Sequence, residues 1–184
     1  MKRIFRNLFL FLLTSFAAHS IFAASTTICD GTYALCAYAK CIPIPGELGK
    51  AMCFCEVKNG YSIGSKTCQT KPGTTAEGFQ TVESRYFPVK KYVSCHNKRP
   101  WANCYNSHCI VNPENPKQAF CTCGITKDKG DYMYANDACE TGGCESGMIS
   151  SFVVKDATGD LNSLKKVKNF DKLPSYTPEL CPAK

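Results

Sequence analysis

Fourteen cysteines carry most of the chemistry this chain could perform: Cys29, Cys36, Cys41, Cys53, Cys55, Cys68, Cys95, Cys104, Cys109, Cys121, Cys123, Cys139, Cys144 and Cys181. As thiolates they could attack a substrate, hold a soft metal or cycle electrons. As cystines they can only staple the chain. The chain lacks a Cys-x-x-Cys redox motif and has instead two Cys-x-Cys pairs, Cys53-Phe54-Cys55 and Cys121-Thr122-Cys123. His96 and His108 both sit beside a cysteine, and an even cysteine count leaves no free thiol for a Cys–His nucleophile. Gly-x-Ser-x-Gly, His-Glu-x-x-His and phosphate-binding glycine loops do not occur. Asp128 and Asp131 stand among lysines, where solvation is their ordinary role. The expectation is a protein without catalysis, cofactor or metal.

The start of the chain says where such cysteines would oxidise. Met1-Lys2-Arg3-Ile4-Phe5-Arg6 is followed by an apolar run over residues 8–18 and by Ser20-Ile21-Phe22-Ala23. A basic start, a short apolar centre and a small-residue exit form a secretory signal peptide, here residues 1–23 with cleavage after Ala23, and Ala24 or Ser20 as alternative cleavage points. The apolar run is shorter than the ~20 residues of a membrane helix. The formal charge of +7 includes Lys2, Arg3 and Arg6, so it falls to 7 − 3 = +4 once the leader is removed. No block of like charge suggests nucleic acid, and the bias suits mildly acidic surfaces. Localisation is expected to be secreted and extracellular, by way of the periplasm if the chain is bacterial, as the leader's style suggests. In that compartment an even, dense cysteine set means disulfides.

The elements that hold these cysteines repeat. Cys36, Cys41, Cys53 and Cys55 are separated by five, twelve and two residues, and Cys104, Cys109, Cys121 and Cys123 show the same three gaps. The offset is 68. At that offset Tyr33-Ala34 matches Trp101-Ala102, Ile42 matches Ile110, Pro45 matches Pro113, Ala51-Met52 matches Ala119-Phe120 and Val57 matches Ile125. Two tandem modules with a six-cysteine repeat follow, 24–68 and 95–144 (the second also holding Cys144, outside the repeat), joined by 69–94 and followed by a tail, 145–184. Units this short bury too little apolar surface to fold without staples. Zinc is disfavoured, because Lys40 stands in one copy where His108 stands in the other. Residues 79–87 and 148–154 read as strands that extend each module, and 161–170 as a short amphipathic helix. Cys181 pins the tail. The expected fold is a small disulfide-rich chain of short antiparallel β-hairpins with little helix, a C-terminal strand and that short helix.

The order Cys, Cys, Cys, Cys-x-Cys, Cys, with Gly60-Tyr61 and Gly64 before Cys68, resembles an EGF-like module. The second copy carries Gly130-Asp131-Tyr132 in the corresponding place. The resemblance implies bridges Cys29–Cys41, Cys36–Cys53 and Cys55–Cys68, then Cys95–Cys109, Cys104–Cys121 and Cys123–Cys139, leaving Cys144–Cys181. Spacing alone leaves all 15 pairings of six cysteines open. The acidic residues that calcium-binding members carry before the first cysteine are absent, so no such calcium site is expected.

Two functions suit such a scaffold. The first is binding to a protein or surface ligand, with Arg85, Tyr86, Lys90, Lys91, Tyr92, Arg99 and Tyr105 as the aromatic and basic contact residues. An exported bacterial factor acting on a host partner fits this reading. The alternative is a secreted protease inhibitor presenting the loop 43–50 or the Lys40-Cys41 step. No Asn-x-Ser/Thr sequon occurs, so no N-glycan is expected.

Overall fold

A computed structural model describes residues 26–69, 71–86, 91–127, 130–153, 165–173 and 179–181. The leader, Lys90, Asp128 and residues 161–164 of the expected helix lie outside these. The fold is strand-dominated and has no α-helix among the described residues.

Each copy is one bulged hairpin. In the first, β1 (Thr27–Leu35) runs antiparallel to β3 (Lys50–Gly64), with Ala34 opposite Val57. After a bulge at residues 36–40, β2 (Cys41–Pro43) resumes the pairing, with Cys41 opposite Cys53. The second copy repeats this register 68 residues later. There β7 (Trp101–Asn103) and β8 (His108–Val111) pair with β9 (Gln118–Thr126), placing Ala102 opposite Ile125 and Cys109 opposite Cys121. Strand alternation puts Ala51, Cys53 and Cys55 inside and Met52, Phe54 and Glu56 outside.

This geometry corrects the bridge pattern that the EGF-like resemblance implied. None of its seven pairs forms. The bridges are nested instead: Cys29–Cys68, Cys36–Cys55 and Cys41–Cys53 in the first copy, and Cys95–Cys144, Cys104–Cys123 and Cys109–Cys121 in the second. The cause is the hairpin. Moving away from its tip, each cysteine on the outgoing strand meets the next on the returning one. The equivalent of Cys68 in the second copy is therefore Cys144, and Cys139 pairs with Cys181.

The copies do not stand side by side as beads. β3 and β9 pair antiparallel around Cys53 opposite Cys121, which are equivalent residues. Ala51 opposite Cys123 and Cys55 opposite Ala119 then exchange roles, so a pseudo-twofold axis passes between the copies. Each copy also sends its following strand across that axis. β5 (Gln80–Arg85), edged by the two-residue β4 (Gly73–Thr74), lies parallel to β1 and antiparallel to β8 of the other copy. Residues 148–150 do the same between Ala102 and Lys40. The hydrogen bonds mirror one another: Ser84 N donates to Ser107 O at 2.8 Å and Ser150 N to Ala39 O at 2.8 Å. The ladder β1–β5–β8–β9–β3 thus returns to β1 and closes. Its interior is filled by four cystines with Ala34, Ala51, Ala102 and Ala119, and the Cys36 and Cys121 sulfurs touch at 3.4 Å. A closed sheet this narrow has room for sulfur pairs and methyl groups rather than large side chains.

The outer end of the second hairpin separates into a four-stranded sheet. β6 (Lys91–Cys95) pairs with β10 (Tyr132–Ala135), flanked by β11 (Phe152–Val153) and β12 (Glu179–Leu180). A 3₁₀ turn, Thr141–Cys144, carries the cysteine of the outer bridge. Cys181 N donates to Tyr92 O at 2.8 Å, and the Cys139–Cys181 bridge holds this last strand in place. Residues 165–173 form turns and a second 3₁₀ turn, Phe170–Lys172, and Leu173, Val167 and Phe170 pack on Ile28, Tyr61 and Ile63.

Candidate binding surface

The aromatic and basic residues expected to contact a partner are placed unevenly. Arg85 is 5% exposed and works inside the fold. Its Nε donates to Ser62 Oγ at 3.0 Å, Nη1 to Lys66 O at 3.2 Å, and Nη2 to Thr27 O and Oγ1 at 3.0 Å each. Burial pushes its pKa down, while the nearby Glu83 carboxylate pulls it up. Tyr92 is also buried and meets Phe152 edge-on at 5.4 Å. Tyr86 is half-buried, stacked on Tyr105 at 5.2 Å and tilted against Phe152 at 6.0 Å. Phe152 therefore joins Tyr86 and Tyr92, and Tyr105 reaches this group through Tyr86. Lys91 is half-buried, and its backbone N–H donates to Asp137 Oδ1 at 3.0 Å. Arg99 is exposed elsewhere, with Nη1 at 3.3 Å from the Glu145 carboxylate and 3.0 Å from its carbonyl.

The residues with potential chemistry are also in place. His96 Nδ1 lies 2.6 Å from Asp131 Oδ2 at the surface. His108 is exposed on the outer face of β8. Several cysteine sulfurs lie within 4.8 Å of one another, among them Cys36, Cys55 and Cys104. All are bonded as cystines, which have no thiolate to offer a metal. An open polar notch lies between the β1 edge, Gln69, Glu83 and Arg85. Lys66 pairs with Glu83 there at 3.2 Å.

The largest unsatisfied feature is apolar. With cysteines inside, the outer faces of β2, β3, β9 and β8 carry Ile42, Met52, Phe54, Phe120 and Ile110. Cross-strand pairing makes them contiguous: Ile42 opposite Met52, Phe54 opposite Phe120, and Ile110 opposite Phe120. The two phenylalanines meet edge-on at 5.8 Å. Ile42 is 53% exposed, Ile110 37% and Phe54 36%. Beyond Ile42 the hairpin tip carries Leu48, which is fully exposed. The tip is a double turn: Glu47 N donates to Ile44 O at 3.1 Å and Lys50 N to Glu47 O at 3.2 Å. Gly46 and Gly49 supply the positive φ, 81° and 78°, that these turns require.

The five face residues were not among those expected from sequence, although the signal was available. A Cys-x-Cys pair bridged inward on a strand must turn its middle residue outward, and that residue is Phe54 in one copy. Comparison with protein families, curated proteins and solved structures finds no match in any of the three.

Proposed function

We propose that this chain is an exported, disulfide-stabilised, non-catalytic binding protein that docks a protein or surface partner on the outer face of its stapled sheet. The contiguous outer-face set of exposed Ile42, Phe54 and Ile110 with half-buried Met52 and Phe120 carries this reading. Patches of this kind on small soluble proteins commonly mark interaction sites. Four cystines directly beneath hold the face rigid, which lowers the ordering cost of binding. The stacked, half-buried Tyr86 and Tyr105 form a second, more polar candidate area, and Lys91 and the exposed Arg99 are separate candidates. Seven bridges support an extracellular place of action, reached through the leader, and a host-cell or envelope partner suits that location. The EGF-like resemblance stays with cysteine order, since the pairing is different.

The test is capture from host-cell or envelope extract with three baits: folded protein, Phe54→Glu/Ile110→Glu protein, and reduced, alkylated protein. The proposal expects a partner held by the first bait alone. A partner retained equally by all three would contradict it. The inhibitor reading draws on the exposed Leu48 in the loop 43–50. The closed Glu47–Lys50 turn opposes it, because a protease cleft takes an extended segment. A stable protease complex or one specific cut in that loop would reverse this preference.

A further inference from the structure

The internal repeat provides a control for the first hairpin tip. The second tip closes with the same hydrogen bonds, although Glu114 and Lys117 do not take the positive φ of Gly46 and Gly49: Asn112 N donates to Gln118 O at 2.9 Å, Asn115 N to Asn112 O at 3.2 Å, and Gln118 N to Asn115 O at 2.9 Å. Each bond matches one of the first tip, where Ile44 N also donates to Lys50 O at 3.0 Å. The side chains differ. The first tip reads Ile44-Pro45-Gly46-Glu47-Leu48-Gly49 and the second Asn112-Pro113-Glu114-Asn115-Pro116-Lys117. This double turn therefore forms with polar residues, and the fold does not require Ile44 or Leu48. Leu48, fully exposed, packs on nothing within the chain.

We propose that the first tip, with the adjoining outer face, docks on a lipid surface bearing anionic headgroups; this rests on the binding reading above and names its partner. Three observations favour lipid over a protein pocket. The apolar side chains are leucine, isoleucine, proline, methionine and phenylalanine, without the Trp, Tyr or Arg that dominate protein hot spots. A bilayer interface asks only for apolar surface and charge. The single acid of the tip, Glu47, is paired with Lys50 at 2.7 Å, so the tip carries no net charge into the headgroups. Lys40 flanks the face, and the chain's formal charge, with histidine neutral, is +7, or +4 without residues 1–23. A cation beside an apolar patch suits anionic lipid. Leu48 would enter the acyl boundary, with Ile42 and Pro45 at headgroup depth, and nothing would span the bilayer.

The test is sedimentation of the oxidised, exported protein with vesicles of phosphatidylcholine alone and with one quarter phosphatidylglycerol. The wild type should partition onto the anionic vesicles, less onto the neutral ones, and less as salt rises. Leu48→Glu should lower partitioning by roughly tenfold to a hundredfold, the transfer of one leucine side chain. Pro116→Glu, the matched change on the second tip, should leave it unchanged. Buried Trp101 reports folding in both variants by its fluorescence. Absence of wild-type binding to anionic vesicles, or equal loss in both variants, overturns the proposal. If vesicles fail while capture of a protein still depends on Phe54 and Ile110, the lipid inference falls and the binding reading stands. If both fail, both fall.

Discussion

Arg85→Met should cost the fold about 3–5 kcal/mol. The side chain is 5% exposed and its guanidinium ties three separated segments, at Thr27, Ser62 and Lys66. Methionine keeps the apolar stem and removes all four hydrogen bonds. The Thr27 carbonyl and the buried Ser62 hydroxyl then lose their charged donor, at about 1–3 kcal/mol each, while Lys66 O keeps the Thr27 hydroxyl at 2.7 Å. The space is committed to the guanidinium: a Cβ on Gly64 would lie 2.6 Å from Arg85 Nη1. Arg85→Lys should recover less than half, because an ammonium cannot fork to Thr27 and Lys66 together. The assay is guanidinium unfolding with all bridges oxidised, followed by the fluorescence of Trp101, the single tryptophan, which is 3% exposed. A loss below about 1 kcal/mol for Arg85→Met, or full recovery by lysine, would refute the reasoning, since hydrogen bonds to a charged group are worth more than that.

Ser150→Ala should cost about 1–3 kcal/mol, because its hydroxyl accepts from Ala39 N at 2.7 Å and donates to Cys36 O. The equivalent Ser84→Ala should stay within about 0.5 kcal/mol or stabilise, because Ser84 Oγ is buried with no partner among the described residues. Equal effects in the same unfolding assay would argue against this difference in hydrogen bonding between the two serines. Burial pushes the Tyr33 hydroxyl up to about 12, from an ordinary value of 10.0. Its contribution to stability should be whole below pH 10.0 and decline as pH rises toward about 12. Ultraviolet titration showing normal ionisation of every tyrosine would contradict this. Replacing Cys139 and Cys181 with serine should release β12, so the residue 181 amide, bonded to Tyr92 O, exchanges faster while the β3 and β9 amides keep their protection. Unchanged exchange at residue 181 would show that the bridge does not hold the strand.

How much of this was legible in sequence follows from which relations are local. Equal gaps reported the duplication, and strand period put Cys53 and Cys55 on one face, both within a few residues. The bridge partners were not legible, because spacing does not say which strand comes opposite. The hairpin register decides that, and it nests the pairs. Cys144 was hidden as the equivalent of Cys68 because the second copy breaks its long hairpin after Thr126 and resumes at Tyr132, shifting the offset. The closure by β5 and residues 148–150 joins strands far apart in sequence, and residues 79–87 showed only their extended tendency. At the surface, Arg85 and Tyr92 have the composition of contact residues, yet the fold buries both. The exposed Phe54 and Leu48 carry no polar signature to mark them.

The account rests on the two copies being interlocked through β3 and β9, since that pairing builds the outer face. Proton NMR tests it directly. Phe54 and Phe120, like Met52 and Thr122, face each other as pairs that do not exchange hydrogen bonds, the closer kind of antiparallel pair with Cα atoms about 4.5 Å apart. Strong Hα–Hα cross-peaks between Phe54 and Phe120 and between Met52 and Thr122, in a monomeric sample, are the predicted result. Their absence, with each hairpin showing only cross-peaks within its own copy, would mean two separate modules and no shared face.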